Sequence, residues 1–265
     1  MTRVVNQLAD SLVPISLAEV IERAALLTRT DRKYIVPHAL VPPLTQLWDR
    51  QGMRVVDVNN NRCVSYESVY FDTPTNDSYE RTLTRRRHRY KVRTRTYADS
   101  GDTFLEVKTR DGRGATVKDR IPHASRTHLD PDSCAFIRSV LAARGVTRPP
   151  RQLAPVVFST YQRTTVTDLT MRVTLDTELT WHHPNGCRYD AGDIVILETK
   201  TPGHPSATDR WLWQHGVRPT TISKFATGRA ALDPTLPAHR WNRALTRTFA
   251  DAPRFSSATA LGRSA

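Results

Sequence analysis

Cysteine is scarce in this chain: Cys63, Cys134 and Cys187 are all it has in 265 residues. They are widely separated, odd in number and form no CxxC pair, which argues against a disulfide framework or a zinc cluster and for reduced thiols. Long apolar runs are missing too. Nothing approaches the roughly 20 residues that span a bilayer, and the opening MTRVVNQLADSLVP lacks the continuous apolar stretch of a secretory signal. A cytoplasmic location is expected. There is no Walker A phosphate loop, no GxSxG and no HExxH, which leaves those phosphoryl-transfer and hydrolytic templates without support. No repeat occurs at a solenoid or propeller period. Acid is in short supply: 26 Asp and Glu stand against 39 Lys and Arg, a formal charge of +13. That imbalance points to an anionic partner, whether nucleic acid, an acidic membrane surface or a phosphate-rich substrate.

The basic residues are concentrated in an ordered way. Arg85–Tyr97 reads RRRHRYKVRTRTY. In an extended chain Arg89, Lys91, Arg93 and Arg95 share one face, opposite Tyr90, Val92, Thr94 and Thr96. Alone, this pattern fits either a solvated edge strand or a surface for a polyanion. The alternation recurs. A hairpin over 103–109 and 116–121 puts Glu106 with Lys108 on one strand face and Lys118 with Arg120 on the next. Strand 154–166 carries Ser159, Tyr161 and Arg163 on one face. Strand 171–179 sets Arg172, Thr174, Asp176 and Glu178 opposite Met171, Val173, Leu175 and Leu179, and strand 193–201 sets Glu198 and Lys200 opposite Val195 and Leu197. Shorter strands are expected at 32–36, 53–58 and 65–71.

Helices are expected around these strands. A capping box at Ser16–Glu19 opens one over about 16–28. Others are read near 42–52, over 131–144 with Asp130 as N-cap, and at 205–215 and 223–232. Residues 76–83 read as a connector. From Asp233 onward, Pro, Ala, Arg and Ser dominate, including Arg240, Arg243, Arg247 and Arg254, and a disordered tail is expected. The domain plan is therefore a lead-in over 1–30, a main domain over 31–232 and a tail over 233–265.

Two architectures accommodate the alternation. One is an open sheet with a wet face. The other is a closed antiparallel barrel whose outer face packs on helices and whose polar lumen holds a ligand, an α+β fold. The barrel accounts for single carboxylates among cations, as in Glu106–Lys108 and Glu198–Lys200. Such carboxylates could offer hard oxygen ligands to Mg²⁺ or Mn²⁺ bridging phosphates. His182 and His183 point to opposite faces of a strand and are expected to be loop residues. Trp211 and Trp213 suit helix packing better than base stacking. Asp176 and Glu178 suit either ion pairing or metal ligation.

Arg32-Lys33-Tyr34, Tyr70-Phe71-Asp72-Thr73, Lys91-Val92-Arg93-Thr94-Arg95, Leu105-Glu106-Val107-Lys108, Leu197-Glu198-Thr199-Lys200 and Ser223-Lys224-Phe225 follow one another in an order that resembles the VTC domain. This is the polyphosphate polymerase domain of the vacuolar transporter chaperone family, in the triphosphate tunnel metalloenzyme superfamily. The resemblance covers about Asp31 to Leu232. It implies an antiparallel barrel forming a tunnel, with helices packed around it, in which polyphosphate is made from ATP. The terminal phosphate of the chain attacks the γ-phosphate, with Mn²⁺ or Mg²⁺ as cofactor. By motif, Lys33, Arg93, Arg95, Lys108, Lys118 and Lys200 are expected to be catalytic. Lys91, Tyr161, Arg163, Arg172, Ser223 and Lys224 are expected to bind phosphate, and Glu198 and Glu106 to meet the metal. The expected partners are ATP and inorganic polyphosphate or triphosphate. Nucleic acid is not expected, since stacking aromatics are few on the cationic face. The sequence shows neither the phosphate-sensing domain nor the membrane helices of yeast-type members, so export of product would need a separate membrane partner. A triphosphatase of the same fold and a non-catalytic polyanion-binding module are the alternatives.

Overall fold

Strands form wherever the sequence alternates apolar and charged residues. The structure is a computed structural model, and it describes residues 8–23, 30–110 and 116–252. Its strands are β1 (Pro14–Ser16), β2 (Thr30–Pro37), β3 (Arg54–Asp57), β4 (Val64–Asp72), β5 (Arg89–Tyr97), β6 (Thr103–Arg110), β7 (Thr116–Pro122), β8 (Ala154–Thr167), β9 (Arg172–His182), β10 (Arg188–Asp190) and β11 (Ile194–Thr201). The helices are α1 (Leu17–Arg23), α2 (Val41–Arg50), α3 (Asp77–Leu83), α4 (Pro131–Ala143), α5 (Ala207–Gln214), α6 (Ala226–Leu232) and α7 (Asn242–Arg247). The class is α+β, a large antiparallel sheet with helices on it. The chain divides into one unit of residues 1–65, 161–179 and 191–221 and another of residues 66–160, 180–190 and 222–265.

In the first unit the strand order is β2–β11–β9–β8, with β3 paired to β8 and β1 to β3. β2, β11 and β9 are mutually antiparallel. Their apolar face carries Tyr34, Val36, Val173, Leu175, Val195 and Leu197, all buried against Leu44 and Trp48 of α2 and Leu212 of α5. Asp209 of α5 fastens this packing. One carboxylate oxygen accepts the Tyr34 hydroxyl and the Thr199 hydroxyl, each at 2.7 Å. The other accepts the Ser206 N–H at 2.6 Å and the Ser206 hydroxyl at 2.7 Å, completing a capping box. Trp211 and Trp213 pack on the same core, and the Trp213 indole donates to the Tyr34 hydroxyl at 3.2 Å.

In the second unit β4, β5, β6 and β7 form an antiparallel ladder. Val69, Phe71, Tyr90, Val92, Leu105 and Val107 lie on its apolar face, covered by Ile137 and Leu141 of α4. The Asp130 side chain accepts the Ser133 N–H and caps that helix, as expected.

Several places depart from the sequence reading, among them His182, expected in a loop but the last residue of β9, paired with Arg188 of β10. Residues expected to be a connector form α3, because Asp72 at the end of β4 accepts N–H groups from Thr73 and Ser78 at 2.8 Å and from Tyr79 at 2.9 Å. A helix start satisfied from six residues upstream escapes a search for local caps. The expected disordered tail is folded as far as 252. There Trp241, Leu245 and Phe249 recur every four residues and are buried, with Phe249 against the rings of Trp181 and Tyr189. Residues 253–265 of that tail, like residues 24–28 of the first expected helix, lie outside the described residues.

Candidate functional site

Because α4 takes one face of the β4–β7 ladder, every residue of opposite parity is forced to the other face. Across β5, β6 and β7 the register puts Lys91 opposite Lys108 and Lys108 opposite Lys118. The neighbouring row is Arg93, Glu106 and Arg120, and the next begins with Arg95 opposite Phe104. Like charges directly opposite one another repel, and within this row Lys118 is offset by Glu106 while Lys91 meets a hydroxyl.

Glu106 is the carboxylate of this face, with a side chain only 2% exposed. Its Oε2 accepts the Arg93 Nη2 at 2.5 Å and Nε at 2.8 Å, while the Lys118 Nζ lies 3.4 Å from Oε1. Burial raises its pKa, but Arg93, Arg95 and Lys118 more than offset this and hold it at about 2. The third donor of Arg93 reaches the Tyr70 hydroxyl at 3.1 Å, which fixes the plane of the guanidinium. The guanidinium of Arg95 lies over the Tyr66 ring, 4.9 Å from its centroid. Burial lowers the pKa of Lys118, and Arg120 adds to this while Glu106 opposes it. The Lys91 Nζ donates to the Ser223 hydroxyl at 2.7 Å, and Phe225 lies under that ammonium at 5.8 Å. Lys224 is half-buried next to it in sequence.

In the first unit, β2, β11 and β9 turn Lys33, Glu198 and Thr174 to one face as direct cross-strand neighbours, with Lys200 opposite Arg172. The Glu198 carboxylate lies 3.9 Å from the Lys33 Nζ and 3.6 Å from the Lys200 Nζ. Its side chain is 12% exposed. On the adjacent strands Arg163 donates to both oxygens of Asp176, at 2.6 and 2.8 Å, and its guanidinium lies over Tyr161. Burial opposes the charge of Arg163, yet Asp176 and then Tyr161 drive its pKa well above the usual arginine value. The ion pairing expected for Asp176 is present, to Arg163. Glu178 has a φ of 53°, which interrupts the alternation that placed it beside Asp176.

The residues expected to act on phosphate or metal thus fall into two groups. Lys33, Tyr161, Arg163, Arg172, Glu198 and Lys200 belong to the first unit, and Lys91, Arg93, Arg95, Glu106, Lys108, Lys118, Ser223 and Lys224 to the second. Tyr66 is not singled out by the sequence, and Tyr70 and Arg120 are named there without a site role; the two tyrosines brace arginines. The positions of all three followed from the alternation of β4 and β7; their contacts needed the register.

The family model of the VTC domain matches residues 28–233. The chain belongs to the VTC domain family. Comparison with curated proteins gives no match. Among solved structures, the chain is similar to a candidate adenylyl cyclase from Hippeastrum described as revealing a dominant triphosphatase activity. Identity is 15% and the TM-score 0.48, over 80% of this chain and 100% of that one. Two candidate adenylate cyclases are also similar. The one from Bacillus halodurans is 13% identical with a TM-score of 0.46, over 74% and 96% of the two chains. The one from Vibrio parahaemolyticus is 12% identical with a TM-score of 0.44, over 76% and 97%. No helix among the described residues of this VTC domain protein is long and apolar enough to cross a membrane.

Proposed function

We propose that this VTC domain carries out metal-dependent phosphoryl transfer, lengthening inorganic polyphosphate at the expense of ATP. The observation that carries the reading is the row Lys91–Lys108–Lys118 beside Arg93–Glu106–Arg120, a cationic surface opposite the apolar core. A terminal phosphate oxygen of the chain attacks the γ-phosphorus of ATP, the bond to the bridging oxygen breaks, and ADP leaves. No protein nucleophile is needed, only in-line positioning and stabilisation of charge. Arg93 and Arg95, held in fixed planes by Glu106 and by tyrosine rings, and Lys108 and Lys118 grip the transferred phosphates. Lys91, Ser223 and Lys224 hold phosphates beside them. In the first unit Lys33, Lys200, Arg163 and Arg172 supply positive charge around Glu198, with Tyr161 bracing Arg163.

The two carboxylates offered to a metal differ. Both oxygens of Glu106 face cations within ion-pair distance, so we assign it to orienting Arg93. Around Glu198 the ammonium groups of Lys33 and Lys200 stand at 3.9 and 3.6 Å, farther than the Arg93 contacts to Glu106. Among the described residues no group of three or more His, Cys, Asp or Glu is placed to hold a metal. One hard carboxylate fits Mg²⁺ or Mn²⁺ that takes its remaining ligands from water and substrate phosphates. When bound there, the metal would neutralise charge on the phosphate oxygens.

The test is incubation of purified protein with ATP, Mn²⁺ or Mg²⁺ and a short polyphosphate primer, resolved by gel and ³¹P NMR. Long chains with matching ADP are expected. Glu198→Ala should lower turnover by about a hundredfold or more, the scale of lost charge stabilisation, and retain polyphosphate binding. Orthophosphate released from triphosphate without chain growth would assign a hydrolase instead. Binding with neither product would leave a polyanion-binding module.

A further inference from the structure

The cationic face of β5 does not stop at Lys91. Arg89 shares its parity and stands directly opposite Arg110 of β6. Two more arginines converge on this pair. The charges of Arg110, Arg240 and Arg85 all act on Arg89, and those of Arg85 and Arg110 act on Arg240. Arg85 occupies the turn before β5 with a φ of 55°. Arg240 arrives from the segment before α7, beyond the last residue of the family match at 233.

Among the described residues no carboxylate pairs with any of the four. Their donors go to carbonyls instead, from Arg89 to Arg86 and from Arg240 to Thr82. The Arg240 Nε is buried without a hydrogen-bond partner. Burial first, and then the neighbouring guanidiniums, lower the pKa of both Arg89 and Arg240. A half-buried guanidinium with an idle donor and like charges around it is costly in the absence of an anion.

We propose that Arg85, Arg89, Arg110 and Arg240 form a second anion site, which takes the distal phosphates of an inorganic polyphosphate chain lying along β5. This rests on the reading of the Lys91–Arg95 face as phosphate-binding. Arg89 and Lys91 are two residues apart, a step of about 7 Å along the strand. A compact anion meets one such row, whereas an extended polyanion meets successive rows. Nucleic acid is the poorer fit. None of the four arginines has an aromatic ring against it among the described residues, and Tyr90 is buried on the opposite face. The site therefore selects for chain length. Triphosphate reaches the inner rows, and longer chains gain the arginine cluster.

The experiment measures binding of fluorescent long-chain polyphosphate and of triphosphate to the full chain at fixed ionic strength, without ATP. Two variants probe the cluster: Arg85→Ala with Arg240→Ala, and Arg85→Ala with Arg110→Ala, the latter pair being exposed and safe for folding. Arg243→Ala with Arg247→Ala, also exposed, removes the same charge elsewhere. Both cluster variants should bind long chains about tenfold more weakly and triphosphate within about twofold of the unaltered protein, the scale of one or two charge-assisted contacts. The Arg243 and Arg247 variant should bind both as before. Unchanged long-chain binding in the cluster variants, an equal loss for triphosphate, or an equal loss in the Arg243 and Arg247 variant overturns the proposal. If the unaltered protein binds neither anion, the phosphate reading of the β5 face falls first.

Discussion

At the scale of single residues, Glu106 shows what holds the cationic face together. An isolated carboxylate so deeply buried would be protonated, but three cations keep this one charged, with a pKa of about 2 against an ordinary 4.5. Its folded-state pKa is depressed. The stabilisation is therefore complete above about pH 4.5 and is lost as pH falls toward 2, a difference of about 3 kcal/mol at most. Glu106→Gln should lower stability at neutral pH by about that amount and flatten the loss between pH 4.5 and 2. Urea unfolding across that range checks it. A parallel pH profile in the two proteins would mean that Arg93 and Lys118 do not hold the carboxylate as described.

Elements are joined to one another by buried carboxylates that act from one chain segment on another. Asp209 of α5 satisfies hydroxyls on β2 and β11 at once, while Lys33, Glu198 and Lys200 alternate with those anchored residues on the opposite face. Asp209→Ala leaves those hydroxyls and the Ser206 cap unpaired in the core, at a cost of about 2–3 kcal/mol. The melting temperature should fall by about 5–10 °C for a chain of this size. Ser206→Ala, which removes only the cap, should cost about 1 kcal/mol. Equal effects of the two in thermal melts would show that the Tyr34 and Thr199 contacts contribute nothing. These links also mark the boundary of what could be read in the sequence. The face on which Lys91, Arg93, Glu198 or Lys200 lies follows from strand parity, a local property, so those residues were legible. The partner of Glu106 across a hairpin, the cap of α3 by Asp72 and the joining of Tyr34 to Asp209 depend on register and tertiary packing. The fold of residues 233–252 escaped for another reason: its few apolar residues are spaced to bury one face, which composition averages away.

The whole molecule carries a charge of +13, and its compact state bears the resulting self-repulsion. A phosphate polyanion that binds only the folded chain stabilises it by mass action, by about 2.7 kcal/mol at a hundredfold excess over Kd. The melting temperature should then rise by about 5–10 °C. Sodium chloride at equal ionic strength only screens the exposed charges, over about 10 Å at 0.1 M, and should give a smaller rise. The size of the polyphosphate effect should depend on where positive charge is removed. Lys91→Ala with Arg93→Ala should shrink it, because two rows of the β5 face are lost. Glu198→Gln should keep it, since that change removes negative charge and no phosphate contact. Calorimetry on the three proteins with triphosphate, long-chain polyphosphate and sodium chloride separates these outcomes. A rise that sodium chloride reproduces in full would assign the effect to screening. A rise that survives in the Lys91 and Arg93 variant would place the anion somewhere other than β5.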